Sequence, residues 1–355
     1  SAGISVVAAN AQTAGIGYKY RSVFPERIAF FCNDAGEYGI LFEQCSQRIG
    51  NIRGRCIIEW ENRYLECQIF LAFDGEREVE RTDCIRNFIY EINKRQKGDR
   101  AAPIPTIPGI LTAEYIRLNY GSLMQENCQL AAGLFYDTVA PMILDLRELG
   151  ELAISGSAES GADFVMFVVR MLQERDPSRS EVYIMDGIKR RLARLRDSPN
   201  VVSYEILPEK IFAVLEHMED KLRKRYELAA SGELDFLADS SLLLLILNHR
   251  EAVEAICGNV TALERYKNIT GKYRHMNVCV LIGDYENEAV SYQAPELMKR
   301  WKEARHFLFY GNLWSMKILD LPLSVTRSYR KPIEPGDCYY IKGNDCRKVK
   351  TVLKW

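Results

Sequence analysis

An α/β fold is predicted for this chain: a largely parallel sheet with helices on both faces, preceded by the C-terminal remainder of a similar domain. Three observations carry the prediction. Strand-like and helix-like segments alternate from residue 110 onward, a glycine-bounded loop joins a strand to an apolar helix at residues 156–163, and three blocks near the N-terminus recur in the same order near the C-terminus.

The size fits. A chain of 355 residues with 47% hydrophobic content can bury one large core or two smaller ones, so one to three domains are expected. Its longest apolar run, Leu242 to Leu247, is far short of the roughly 20 residues that span a bilayer. With no basic-then-apolar start either, the expectation is a soluble chain that nothing in it targets or anchors. The 47 basic and 48 acidic side chains leave a formal net charge of −1, which argues against a general field for nucleic acid. Lys189-Arg190-Arg191 and Lys221 to Arg225 sit on helix-like segments and read as solvated faces. No pair among the ten cysteines is spaced Cys-x-x-Cys, and His217, His249, His275 and His306 lack metal-type spacing, so no metal or redox pair is expected. Cys56, Cys67 and Cys279 alternate with apolar residues and read as small core residues of a reducing compartment.

Each predicted element has a local cause. Residues 141–146 and 151–155 are short apolar runs and strand candidates, and 163–173 is an almost wholly apolar helix suited to packing on a sheet. Residues 181–187 and 201–207 read as strands; Pro208 then opens a helix whose stripe is Ile211, Val214, Leu215, Met218 and Leu222. Residues 241–248 form a buried strand, 250–256 a helix and 277–283 another strand. Strands alternating with helices in this way imply parallel pairing.

The repeat indicates where domains begin and end. "GISVVAAN" (3–10) matches "NVCVLIGD" (277–284), "ERIAFFCNDAGEYGIL" (26–41) parallels "ARHFLFYGNLWSMKIL" (304–319), and "GRCIIEWENRYLECQIFL" (54–71) parallels "GDCYYIKGNDCRKVKTVL" (336–353). The third pair has turn residues Glu61-Asn62 and Gly343-Asn344 between alternating strands, the pattern of a β-hairpin. The chain is therefore expected to start inside one domain and to end with the end of another of the same kind. Between the copies, 83–97 is an amphipathic helix with apolar residues at 85, 88, 89 and 92, and Pro103, Pro105 and Pro108 favour an extended connector. The expected domains are residues 1–98, a linker at 99–110 and residues 111–355.

The loop is the chemical question. A phosphate-binding loop, Gly-x-x-x-x-Gly-Lys-Ser/Thr, uses backbone amides to cradle phosphate, a lysine to balance charge and a hydroxyl on magnesium. Here it reads Gly156, Ser157, Ala158, Glu159, Ser160, Gly161, Ala162, Asp163: the glycines are in place, but alanine stands for lysine and aspartate for the hydroxyl residue. Asp163 is expected to cap the helix that follows and so satisfy the amides an anion would need. A phosphate about 4 Å from that carboxylate would meet roughly 4 kcal/mol of repulsion per charge pair at an effective dielectric near 20. The second half of such a site is an acidic pair at the end of a buried strand; this strand ends in Asn248 and His249. The loop is read as the remnant of a nucleotide site, with no catalytic residue, no metal and no cofactor expected.

These pieces, taken in order, resemble the C-terminal portion of an EssC/EccC-type ATPase, the membrane-anchored FtsK/SpoIIIE-like motor of type VII secretion systems. The resemblance spans nearly the whole chain and rests on "GLFYDTVAPMILDL" leading into "ISGSAESGAD", on "YIMDG", "LLLLILN" and "EPGDCYYIKG", and on the proline-rich "APIPTIP". It implies a P-loop NTPase fold of the RecA/FtsK type, with 1–98 the end of the penultimate ATPase domain and 111–355 the terminal one. It also implies ATP and magnesium as the family's ligands, Gly156 to Asp163 as the Walker A segment and Asn248 with His249 as the Walker B end, both departing from the active pattern. Implied partners are the C-terminal export tails of small helical-hairpin secreted proteins and other domains or copies of the motor, on the cytoplasmic side of the bacterial cell membrane. Contact with the membrane would come only through a part N-terminal to this sequence. A substrate-docking and assembly domain is the leading expectation. A weak ATPase is the alternative, and a DNA translocase fits least, because no basic-aromatic stretch is present.

Overall fold

A computed structural model describes residues 5–353 except 35, 43–44, 97, 99–104, 125–127, 233–234, 284–293, 317, 320 and 329–332. The chain divides into two compact units, residues 1–102 and 103–355.

In the first unit, α1 (Tyr18–Arg21), β1 (Ile28–Phe30) and α2 (Gly36–Leu41) precede a hairpin of β2 (Arg55–Trp60) and β3 (Arg63–Gln68), then α3 (Glu78–Arg95). Glu61 and Asn62 both take positive φ (50° and 58°), the two-residue turn whose twist suits a hairpin. The antiparallel sheet β1-β2-β3 covers a small core of Ala29, Tyr38, Phe42, Ile49 and Ile57. The apolar stripe expected on the long helix is present but uncovered: Ile85, Phe88, Ile89 and Ile92 are each at least 41% exposed.

The second unit runs α4 (Ala113–Tyr120), β4 (Gln129–Phe135), β5 (Pro141–Asp145), α5 (Leu146–Leu149), β6 (Glu151–Gly156), α6 (Ala158–Arg175), β7 (Ser180–Asp186), β8 (Val201–Glu205) and α7 (Ile211–Ala230). It continues with α8 (Phe236–Asp239), β9 (Leu242–Asn248), α9 (Arg250–Gly258), α10 (Val260–Lys267), β10 (Val278–Ile282), α11 (Glu296–Ala304), β11 (His306–Tyr310), α12 (Leu323–Ser328), β12 (Asp337–Lys342) and β13 (Asp345–Thr351). The ten strands form one sheet in the order β5-β4-β13-β12-β11-β6-β10-β9-β7-β8. From β11 to β8 all neighbours are parallel; the strands on the other side of β11 are antiparallel because hairpins supply them.

Both faces of the sheet are covered. Leu242, Leu244 and Ile246 of β9 join the core beneath α6, and Leu243, Leu245 and Leu247 join the core beneath α7, α9 and α10. That period of two explains why β9 is apolar at every position but its last: each leucine leaves water on one face or the other, worth roughly 1.5–3 kcal/mol per side chain. The stripe Ile211, Val214, Leu215, Met218 and Leu222 is buried, as its spacing predicts. Glu151 pins the start of β6 by accepting from Tyr266 Oη (2.7 Å), Trp301 Nε1 (3.0 Å) and Arg300 Nη2 (2.7 Å).

The repeat survives in three dimensions, with two corrections. In the hairpins, Arg55 faces Gln68 as Asp337 faces Lys350, and Gly54 and Gly336 share positive φ (77° and 83°). The Ile69 amide donates to Gly54 O at 2.9 Å just as Thr351 donates to Gly336 O at 2.8 Å. The first correction concerns the preceding strand. Ile28 faces Ile58, and Leu308 faces Tyr340, so Ile28 is equivalent to Leu308 and not to His306 as the letter alignment has it. A two-residue slip keeps each side chain on its own face, so an apolar string cannot reveal it. The second concerns "GISVVAAN". Residues 5–10 form no strand, and Val6 and Val7 are 68% and 95% exposed. Their counterpart β10 is held between β6 and β9, and among the described residues of the first unit neither strand has a counterpart.

Candidate functional site at the ends of the parallel strands

The strand order puts the loop after β6 and the end of β9 on either side of the end of β10. Gly156, Ser157, Ala158, Gly161, Asn248 and Gly283 thereby meet around a cavity of about 10 Å³, room for one water. Asp163 and His249 are not there. Asp163 lines a separate cleft of about 340 Å³ with Arg170 and Arg194, and His249 lines another of about 340 Å³ with Ile188 and Lys189.

The loop itself has become helix. α6 starts at Ala158, five residues earlier than expected, and its N-cap is Ser157, whose Oγ accepts from the Ser160 amide at 3.3 Å. The Gly161 amide donates to Ser157 O at 2.9 Å. Amides that would cradle a phosphate are thus spent on the first helical turn. Asp163, expected as the cap, lies in the second turn; Ser157 competes for that role and wins because it directly follows the strand. Ala162, at the lysine position, is 4% exposed and faces the core.

The two glycines persist for reasons of shape. Gly156 has φ +90°, and a β-carbon there would sit 2.2 Å from Tyr310 O on β11. A β-carbon on Gly161 would lie 2.9 Å from Ile154 Cγ2, so that glycine lets α6 pack close to β6. Burial and the nearby charge of Glu159 push the Asp163 carboxyl above its ordinary range, with Arg194 opposing them.

Asn248 is already engaged. Its Nδ2 donates to Asp186 Oδ1 at 3.0 Å, and a β-carbon on Gly283 would come within 2.7 Å of its Oδ1. Asp186, 1% exposed at the end of β7, also accepts from the Gly187 amide (2.9 Å), the Leu192 amide (2.9 Å) and Tyr204 Oη (2.7 Å). Burial and Asp186 together raise the Tyr204 phenol well above its usual range, keeping it a donor. Among the described residues this lining does not fit magnesium-ATP: the cavity has room for about one water, no cation lines it, and four hydrogen bonds hold its nearest strand-end carboxylate.

No family model and no curated protein matches this chain. Solved structures do. The EssC ATPases 2 and 3 of Geobacillus thermodenitrificans superpose with a TM-score of 0.72 at 20% identity, covering 96% of this chain and 63% of that one. The chain has the fold of the EssC and EccC ATPase domains. A cytoplasmic domain of EssC gives 0.61 at 19% identity over 91% of this chain and 62% of that one. Thermomonospora curvata EccC (ATPases 2 and 3), in complex with a signal sequence peptide, gives 0.56 at 15% over 97% and 61%. This chain thus spans less than two thirds of each of these EssC and EccC structures. No helix among the described residues is long and apolar enough to cross a membrane.

Within the EssC/EccC fold, the residue that sequence reasoning missed is Asp186. "YIMDG" reads as the end of a strand, and nothing in it announces a hub. The available signal was a single acid closing an apolar run, since a carboxylate buried there must find donors.

Proposed function

We propose that this chain belongs to a type VII secretion motor and that its second unit docks secreted substrates and assembles the motor without turning over ATP. In this reading residues 1–98 end the penultimate ATPase domain, 99–110 link, and 111–355 form the terminal domain, working at the cytoplasmic side of the cell membrane. The single observation that carries it is the start of α6 at Ala158, which converts the phosphate loop into helix. The engagement of Asn248 by Asp186 supports it at the other end of the site. Fold alone does not specify function; the docking role draws support from the EccC structure that holds a signal sequence peptide.

The ligands are the C-terminal export tails of small helical-hairpin proteins, held by apolar anchors in clefts of the kind helices occupy. The test has two arms. Calorimetry with Mg-ATP should give no binding tighter than about millimolar, and anisotropy with labelled tail peptides should give a Kd in the micromolar range, about 8 kcal/mol. Micromolar ATP binding with phosphate release would restore the weak-ATPase reading. Failure of every tail to bind would leave an assembly role alone.

A further inference from the structure

Between β7 and β8 the chain makes an excursion, residues 187–200, that carries Lys189, Arg190, Arg191, Arg194 and Arg196 against one acid, Asp197. Sequence periodicity suggests a helix for the Lys189-Arg190-Arg191 run. It lies in turns instead, with Arg190 at φ 49°. Lys189, Arg190, Arg194 and Arg196 are exposed and make no ion pair among the described residues. Beside them Ile188 is 88% exposed.

The excursion is not slack. Asp186 holds both Gly187 N and Leu192 N, the Arg190 amide donates to Gly187 O at 2.8 Å, and Leu192 and Leu195 are fully buried. Asn248 donates to the same carboxylate, so the end of β9 helps brace the turn. On either side lies one of the two 340 Å³ clefts. Arg194 lines the first with Met166, Val352 and Leu353, and Ile188 and Lys189 line the second.

We propose that residues 187–196 form a preorganised docking surface for an acidic peptide segment carrying apolar side chains, and that Asn248 braces this surface through Asp186. The inference rests on the docking reading above and names where and by what chemistry docking occurs. Because the backbone of the turn is already held by Asp186, the cations meet carboxylates at the cost of side-chain ordering alone, while Ile188 and the cleft walls take the apolar side chains. A nucleic acid fits less well: residues 187–200 contain no aromatic ring on which a base could stack, and a nucleic acid brings no apolar side chain to the exposed Ile188.

Anisotropy on the full chain tests this with a labelled glutamate-leucine peptide, the same peptide with serine for leucine, and a single-stranded DNA. The glutamate-leucine peptide should bind best and weaken as salt rises. Combined Lys189→Glu, Arg190→Glu and Arg194→Glu should cost about tenfold or more, as should Ile188→Asp, while Lys224→Glu on α7 should change nothing. Asn248→Ala should weaken binding several-fold although it alters no charge, with circular dichroism confirming the fold. Equal binding by the triple variant, or equal binding of the serine peptide or DNA, would overturn the proposal. A cognate tail that binds but ignores the triple variant would refute this surface and leave the docking reading standing. If no cognate tail binds, the docking reading fails, and the glutamate-leucine peptide still decides the surface.

Discussion

The carbonyl oxygen of Tyr310 lies 2.2 Å from where a β-carbon on Gly156 would stand, and it accepts from the Ser157 amide at 2.8 Å. Two parallel strands are thus locked at the point where the chain turns from β6 into α6. Gly156→Ala must strain a positive-φ residue, about 1–2 kcal/mol, and also push a backbone apart. A loss of more than about 2 kcal/mol in urea unfolding is expected. Gly161→Ala should cost less, about 1 kcal/mol, because the clash with the buried Ile154 Cγ2 is partly offset by roughly 1 kcal/mol of helix propensity gained by alanine. Equal effects of the two would refute this account of the motif.

Restoring the Walker lysine should harm the protein. Ala162 is 4% exposed among apolar neighbours, so Ala162→Lys forces an ammonium toward the core. A destabilisation on the order of 3 kcal/mol is expected. Paired with Asp163→Thr it should still give no ATP binding tighter than about millimolar by calorimetry, since the Ser157 cap that starts α6 at Ala158 is left in place.

Asp163 should be a small liability at neutral pH. Its carboxyl is raised by burial and by Glu159 one turn away, so the folded state holds its proton more tightly than the unfolded one. Ionisation then costs stability as pH rises, and the cost disappears on acidification. Asp163→Asn should raise the unfolding free energy at pH 7 by a few tenths of a kcal/mol, roughly the size of an i,i+4 like-charge pair. An unchanged or lowered midpoint would count against it.

His306 gives the opposite pH dependence. Burial and the charge of Lys342 lower it to about 4 from its ordinary 6.5, and its Nε2 lies 3.0 Å from Tyr340 Oη. The unfolded state takes up the proton first as pH falls, so stability should drop between about pH 6.5 and 4, by at most about 3 kcal/mol. Urea unfolding at several pH values should show this slope, and His306→Phe should flatten it.

The first unit should associate through β1. Among the described residues only β2 pairs with it, and Ile28 and Phe30 are 54% and 50% exposed. Such an edge seeks a partner strand. Sedimentation should show concentration-dependent association, reduced by Phe30→Lys, and limited proteolysis should cut first before β1. A monomer that resists protease there would contradict this.

Much of the site's architecture was legible in the sequence. The run LLLLILN read as a buried strand because it is too short for a helix of its own and is apolar at every step but the last, as a strand covered on both faces allows. Glycines five positions apart after a strand marked the strand-to-helix turn, and the hairpin turns were readable from Glu61-Asn62 and Gly343-Asn344. The start of α6 was not. A glycine at 161 disfavours helix locally, and the Ser157 cap together with the close packing of α6 on Ile154 that this glycine allows outweighs that preference.

Composition and pattern by themselves determined the α/β class, the repeat of the β-hairpin block and the residue types at 162, 163 and 248 that depart from a phosphate-loop pattern, since each depends on residue type and spacing along one segment. Tertiary structure alone decided three things: that residues 5–10 form no strand, that Asn248 serves Asp186, and that the 187–196 cations stand on a braced turn between two clefts. Each depends on partners far away in sequence. A strand needs neighbours to take its amides, and a buried carboxylate takes whatever donors the fold brings to it.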